Sequence, residues 1–396
     1  MSAVDLADVG GQVAITGIGE SEHTGISNRT TRQIAAQAVE RAIADAGLRP
    51  EDIDGIMYHP MGGDQFDEHA FHAHFGTTHD MWVSREGGGM RWAATAPHEA
   101  ALAIGAGRAH HVLNSFAVAW ATQRSDMVGG PGQAHADNLV KQNLEIPAGY
   151  FPQPVYAATM ARRHMIQHGT TTDDLAAVAL TMRAHANATP GAVMHERPLT
   201  LDDHRTSPLI ADPLRRYDCC LISDGGGAYV VSALGAARQL SRPLVTVAGV
   251  GLARAPEGSF LALRDDITTT EVADAARVAF AMAGIGPQDL DVLTVYDPFT
   301  IITLMVLEDL GVCPRGGAGA LARAGELRAP GGRWPTNPHG GLHSHAYVLG
   351  IAHVVELVRQ LRGQAANQVP RAGVGVYAAS TGAEAGVLVL RGGPGA

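Results

Sequence analysis

Between Pro335 and Gly350 the chain places four proton-capable side chains close together, His339, His343, His345 and Tyr347. Turn formers (Pro335, Asn337, Pro338) and a glycine pair, Gly340 and Gly341, precede or interrupt them, so the stretch reads as a tight loop. A glycine pair admits positive φ and lets backbone approach a ligand closely, which makes Gly340 and Gly341 candidate substrate-binding positions. Imidazoles and a phenol together point to proton transfer. Val354, Val355, Val358 and Leu361 follow at helical spacing, with Glu356, Arg359 and Arg362 opposite, so an amphipathic helix is expected from about Gly350.

The elements that must hold this loop come from a duplication. IAAQAVERAIADAGLRPEDIDGIMYH (residues 34–59) aligns without gaps on EVADAARVAFAMAGIGPQDLDVLTVYD (residues 271–297), and short apolar strands, Val13–Gly17 and Val245–Gly249, precede the copies. Two copies of a strand-helix-strand unit imply two similar α/β halves rather than a solenoid. The expected division is 1–240, with a loop insertion over about 115–200, and 241–396, joined near Ser241 to Pro243. Further helices are expected over 93–107, 155–168 and 172–186, strands over 53–58 and 112–119, and a glycine turn feeding a strand within 215–233. Ser125 to Tyr150, rich in Gly, Pro and polar residues, reads as a long covering or partner-facing loop.

Composition narrows the function. The 396 residues are 46% apolar and 17% charged, as in a compact protein with a large core, and the net charge of −10 argues against a nucleic-acid surface. Three cysteines (Cys219, Cys220, Cys313) supply no disulfide framework and no CxxC metal pair. The acidic N-terminus is not a signal peptide, and no apolar run approaches the roughly 18 residues of a membrane span, so a cytoplasmic location is expected. His69, His72, His74 and His79 match no closed zinc pattern, and no metal site is expected.

Several segments resemble the sterol-carrier-protein x branch of the thiolase superfamily: YAATMARRHMIQHGTTTDDLAAVAL, DCCLISDGGGAYVV, VYDPFT and the loop from Asn337 to Gly350. The resemblance runs nearly the whole length and implies the thiolase fold, a five-layer αβαβα sandwich built from two duplicated halves. It also implies where active groups stand, and there the chain departs. The segment that would carry the nucleophilic cysteine, Glu86 to Trp92, contains none, and the second cysteine position corresponds to Ser380-Thr381-Gly382. Tyr296 takes the place of the His or Asn of the family's His-Asp-x-Phe or Asn-Glu-x-Phe motif, and Tyr347 that of its Gly-His-Pro histidine.

Without a thiolate no acyl group can be carried on a cysteine. An enolate-stabilising thioester site with proton donors and no nucleophile suits retro-aldol cleavage of a β-hydroxyacyl-CoA. The paired tyrosines resemble the thiolase-like steroid side-chain aldolases of bacterial sterol degradation. That resemblance implies a 17-hydroxy steroid with a short CoA side chain as substrate, a 17-ketosteroid and propionyl-CoA as products, and Tyr296 and Tyr347 as the catalytic pair. It further implies a companion with zinc-ribbon and OB-fold parts, a homodimer raised to a heterotetramer, and no cofactor on this chain, CoA being part of the substrate. His345, His343, Asp297 and Asn337 are possible site members, Asp297 either orienting Tyr296 or capping the helix after Pro298. The competing reading is a non-catalytic thiolase-like acyl-CoA or lipid carrier; a weaker one is a condensing enzyme with another acyl donor.

Overall fold

A computed structural model describes residues 3–60, 64–123, 141–150, 152–240, 242–256 and 263–392. Nine strands form the main sheet: β1 (Val13–Glu20), β2 (Gly55–Met57), β3 (Trp82–Ser84), β4 (His111–Ala119), β5 (Asp224–Ala233), β6 (Val245–Arg254), β7 (Val292–Val295), β8 (Val374–Ser380) and β9 (Glu384–Gly392). Their order is β3-β2-β4-β5-β1-β6-β9-β8-β7. Only one register pair, Ala14 with Thr246, joins β1 to β6. The sheet is thus two half-sheets hinged at their antiparallel edges.

Side-chain alternation shows how helices cover both halves. Ala228 and Val230 of β5 pack outward with helices α1 (Thr31–Ala46) and α2 (Glu68–Phe75). Their neighbours Tyr229 and Val231 face a central core with α3 (Met90–Gly105) and, near the C-terminus, the helix Ile351–Arg362. In the second half Leu388 and Leu390 enter that same central core, while Val387 and Val389 face an outer core. The outer core is built from α4 (Gln153–His168), α5 (Thr172–Asn187), α6 (Val272–Ala283) and α7 (Thr300–Asp309). The helix Ile351–Arg362 is α8. Helix, sheet, central helices, sheet and helix make the five layers.

The duplication extends to atomic detail. α1 ends at left-handed Gly47 and α6 at left-handed Gly284, and each is followed by a proline-initiated 3-10 turn and a strand. A Cβ on Gly17 or Gly19 of β1 would meet the carbonyls of Ala42 or Ala38, and one on Gly249 or Gly251 of β6 those of Ala279 or Ala275. Paired glycines therefore let helix backbone press on strand backbone at the same place in both halves.

Three expectations change. Gly225 to Gly227 lie inside β5 and form no turn, because His23, Ala117 and Ile351 occupy the space their Cβ atoms would fill. The polar side of α8 is not a solvated face: Glu356 and Arg362 are buried, and Arg362 pairs with Asp45 at 2.6 Å. A central helix is covered on both sides, so its polar residues must find partners inside the protein. Most of the expected loop from Ser125 to Tyr150 lies outside the described residues, and its end, Lys141–Glu145, is a π-helical turn.

Glu356 carries the first testable consequence. Burial pushes its carboxyl up to about 7, while Gln360 and Arg359 pull the other way. A folded-state value above the unfolded one means stability is complete below the unfolded value of 4.5 and declines as pH rises through about 7. At about 1.4 kcal/mol per tenfold change in proton affinity the swing is about 3 kcal/mol. Urea unfolding should therefore find Glu356→Gln clearly more stable than wild type at pH 8 and level with it near pH 4.5; equal midpoints at pH 8 would refute this.

Candidate active site

β7 delivers Tyr296 to the centre of the molecule. Its backbone N–H donates to Ala378 O at 2.9 Å, and the preceding residue is held by Asn337, which pairs with it as a strand would: Val295 N–H donates to Asn337 Oδ1 at 2.8 Å and Asn337 Nδ2 donates to Val295 O at 2.9 Å. Asn337 thus anchors the Tyr347 loop to the Tyr296 strand, using the side-chain atoms a ligand would need.

Asp297 holds the loop a second time. Its Oδ1 accepts the Leu342 N–H at 2.9 Å and lies 3.0 Å from His353 Nε2, with both side chains fully buried. Leu342 precedes Tyr347 and His353 follows it, so one carboxylate clamps the loop on both sides of the phenol. The helix-cap alternative is not what forms: the N-cap of α7 is Phe299, with no side-chain cap. The local Asp-Pro pattern suggests a cap, but the buried donors nearest the carboxylate come from a distant segment.

The two phenols meet. The Tyr296 and Tyr347 side chains lie close enough for each phenol to bear on the other's ionisation. Burial raises the pKa of both phenols; the Tyr347 side chain partly offsets this for Tyr296, while Tyr296 adds to it for Tyr347. Both are therefore neutral phenols, with Tyr296 the easier to ionise. Tyr296 is buried and Tyr347 partly so, its ring 4.8 Å from that of Trp120 and its N–H donating to Ser223 Oγ at 2.8 Å.

Where a thiolase nucleophile would stand, the chain has Met90 at φ 49, the first residue of α3. Its N–H is taken by Leu349 O and its carbonyl accepts from Tyr377 Oη at 3.0 Å. This helix start is closed by protein groups. Ser380 Oγ accepts the Gly382 N–H at 3.1 Å in a hairpin turn. Burial pushes the Cys219 and Cys313 thiols up to about 12, and Cys220 higher still, so none is poised as a thiolate.

The loop histidines point away from Tyr347, because residues 341–344 form a helical turn that fans them out. His345 Nε2 lies 3.1 Å from Glu20 Oε1; His343 is buried beside the Tyr217 backbone, Asp218 and Asp297; His339 is buried between the rings of His345 and His353. The groups bearing on the Tyr347 phenol are Tyr296 and Cys220. A Cβ on Gly340 would strike Ala186, and one on Gly341 would strike Asp297 Oδ2, so protein atoms already occupy the space these glycines leave. His353, Tyr377, Trp120 and Glu20 escape the sequence reading, since each reaches the site from a separate element with no local motif. His72, His74 and His79 each have a partner of their own (Thr77, Glu40 and the Ile53 carbonyl), and the exposed His69 stands near Glu68.

These two halves, with phenols at the family's histidine positions and no nucleophilic cysteine, define a thiolase-fold protein; residues 253–391 match the family described as thiolase C-terminal domain-like. A steroid side-chain-cleaving aldolase of Thermomonospora curvata is 35% identical over 96% of this chain and 98% of its own. The 17-hydroxy-3-oxo-4-pregnene-20-carboxyl-CoA lyase of Mycobacterium tuberculosis is 34% identical over 96% and 99%. A solved Ltp2-ChsH2(DUF35) aldolase superposes with a TM-score of 0.89 at 34% identity, covering 97% of this chain and 98% of that one. This chain belongs to the thiolase-like steroid side-chain aldolases. Among the described residues no helix is long and apolar enough to cross a membrane.

Proposed function

We propose that the chain is a carbon–carbon lyase that cleaves a 17-hydroxy steroid CoA thioester to a 17-ketosteroid and propionyl-CoA through Tyr347 and Tyr296. The observation that carries this reading is the pair of adjacent phenols, Tyr296 and Tyr347, both kept neutral by burial. The substrate hydroxyl gives its proton to Tyr347 Oη as the bond to the side chain breaks and its electron pair passes into the thioester enolate. Tyr347 passes its own proton to Tyr296, and Tyr296 protonates the enolate α-carbon. One proton enters the pair and one leaves, so no phenolate accumulates. This matters where burial disfavours charge on both phenols. Tyr347 is only partly buried whereas Tyr296 is buried, which supports Tyr347 as the group that meets the hydroxyl.

The substrate class and products follow the names of the relatives at 34–35% identity. The structural relative is named as a two-component aldolase, and this supports a companion protein for this chain; zinc-ribbon and OB-fold parts in that companion, a homodimer of this chain and a cytoplasmic location complete the proposal. The decisive experiment incubates the purified chain, alone and with its companion, with a panel of β-hydroxyacyl-CoA thioesters and follows propionyl-CoA and ketone release. Binding without cleavage in both cases would establish the carrier reading instead. Since no thiol takes part, Cys219, Cys220 and Cys313 changed together to Ala should leave turnover within about tenfold. A trapped acyl-enzyme in mass spectra of the wild type would contradict this.

A further inference from the structure

Behind the Tyr347 loop, three side chains from separate parts of the chain converge. Glu20 ends β1, His23 follows three positions later, and His345 lies in the loop. Glu20 Oε1 is 3.0 Å from His23 Nε2 and 3.1 Å from His345 Nε2, and one ligand atom from each lies within 4.8 Å of the others. All three side chains are at most 8% exposed.

We infer that Glu20, His23 and His345 form a divalent transition-metal site, best suited to zinc, that ties β1 to the loop carrying Tyr347. Two imidazoles and a carboxylate are a recognised zinc set that leaves a fourth position, and ligands about 2.1 Å from a tetrahedral ion stand roughly 3.4 Å apart, close to the two Glu20 spacings found here. The other Glu20 oxygen is held by Arg359, which fixes the carboxylate with Oε1 toward the two rings. Glu356 lies beside Arg359 and moderates the positive charge there.

A second observation points the same way. His339 is buried with neither ring nitrogen bonded to protein, and its ring lies 4.9 Å from that of His345. A buried imidazole must carry at least one N–H donor or lone pair in need of a partner, and an orphan of this kind is expected where an ion or an ordered water belongs. His339 lies against the cluster and is not one of its three donors. The site revises the expectation that the chain binds no metal, and it is a staple outside the proton transfers: it joins the two segments but touches neither phenol.

The test uses untagged full-length protein, stripped by chelator dialysis and then titrated with Co2+ and with Zn2+, followed by visible absorption and by elemental analysis after desalting. The expected result is about one tightly held equivalent per chain, ligand-field bands for Co2+ and a raised thermal midpoint. His345→Gln and Glu20→Gln should bind at least about tenfold more weakly. If either fails to fold, His23→Gln, which removes the third ligand, must show the same loss. No retained metal in the wild type overturns the assignment, as does unchanged uptake in the folded ligand variants, since the metal would then sit on other histidines.

Discussion

Tyr296→Phe and Tyr347→Phe are each expected to fold as the wild type does and to lose turnover by about 10² to 10⁴, the usual worth of a positioned acid or base. Phenylalanine keeps the ring and its packing and removes the only atom that can move a proton. Because the two hydroxyls act as one chain of transfers, the double variant should be little worse than the poorer single one. Exchange of the α-proton of propionyl-CoA with deuterated water separates the roles, since it needs only the enolate half of the reaction. Tyr296→Phe should abolish the exchange and Tyr347→Phe should spare more of it. The opposite pattern reverses the assignment, and full cleavage in both variants removes the phenol pair from the mechanism.

Removing the Asp297 carboxylate is the second large effect. In Asp297→Ala the Leu342 N–H and His353 Nε2 lose a buried acceptor, and each buried donor left unsatisfied costs about 1–3 kcal/mol. The loop also loses the clamp that brackets Tyr347, and a displacement of about 1 Å at a reacting group costs on the order of 10²-fold in rate. Asp297→Asn keeps an oxygen that can accept both donors and should recover much of the stability and of kcat. Asp297 is a positioning residue in this scheme, so its loss should appear in kcat rather than KM, and the asparagine rescue distinguishes it from a proton carrier. Full turnover and an unshifted denaturation midpoint in Asp297→Ala would sink the clamp.

Much of the scaffold is legible along the chain because its determinants are local. The helix-strand unit that aligns at 34–59 and 271–297 forms in both copies, and the Gly-x-x-Pro turn after Gly47 recurs after Gly284 with the same geometry. The lack of a cysteine between Glu86 and Trp92 likewise excludes a cysteine-borne acyl group without any coordinates. The site is less legible. Asp297 reads locally as a cap, yet its donors are Leu342 and His353; the loop histidines read as neighbours of Tyr347, yet a helical turn swings His345 toward Glu20, 325 residues away in sequence.

What the chain determined by itself, then, is the set of elements, their duplication and the types of chemistry at hand, because periodicity, glycine punctuation and residue identity act over a few neighbours. Tertiary structure alone decided which groups meet. The meeting of Tyr296 and Tyr347, the double hold of Asp297 and the gathering of Glu20, His23 and His345 each join segments from different layers. Such meetings arise because a central helix and its loop are enclosed by sheet on both sides, and polar groups shut away from water must bond to whatever the packing of the two halves brings within reach.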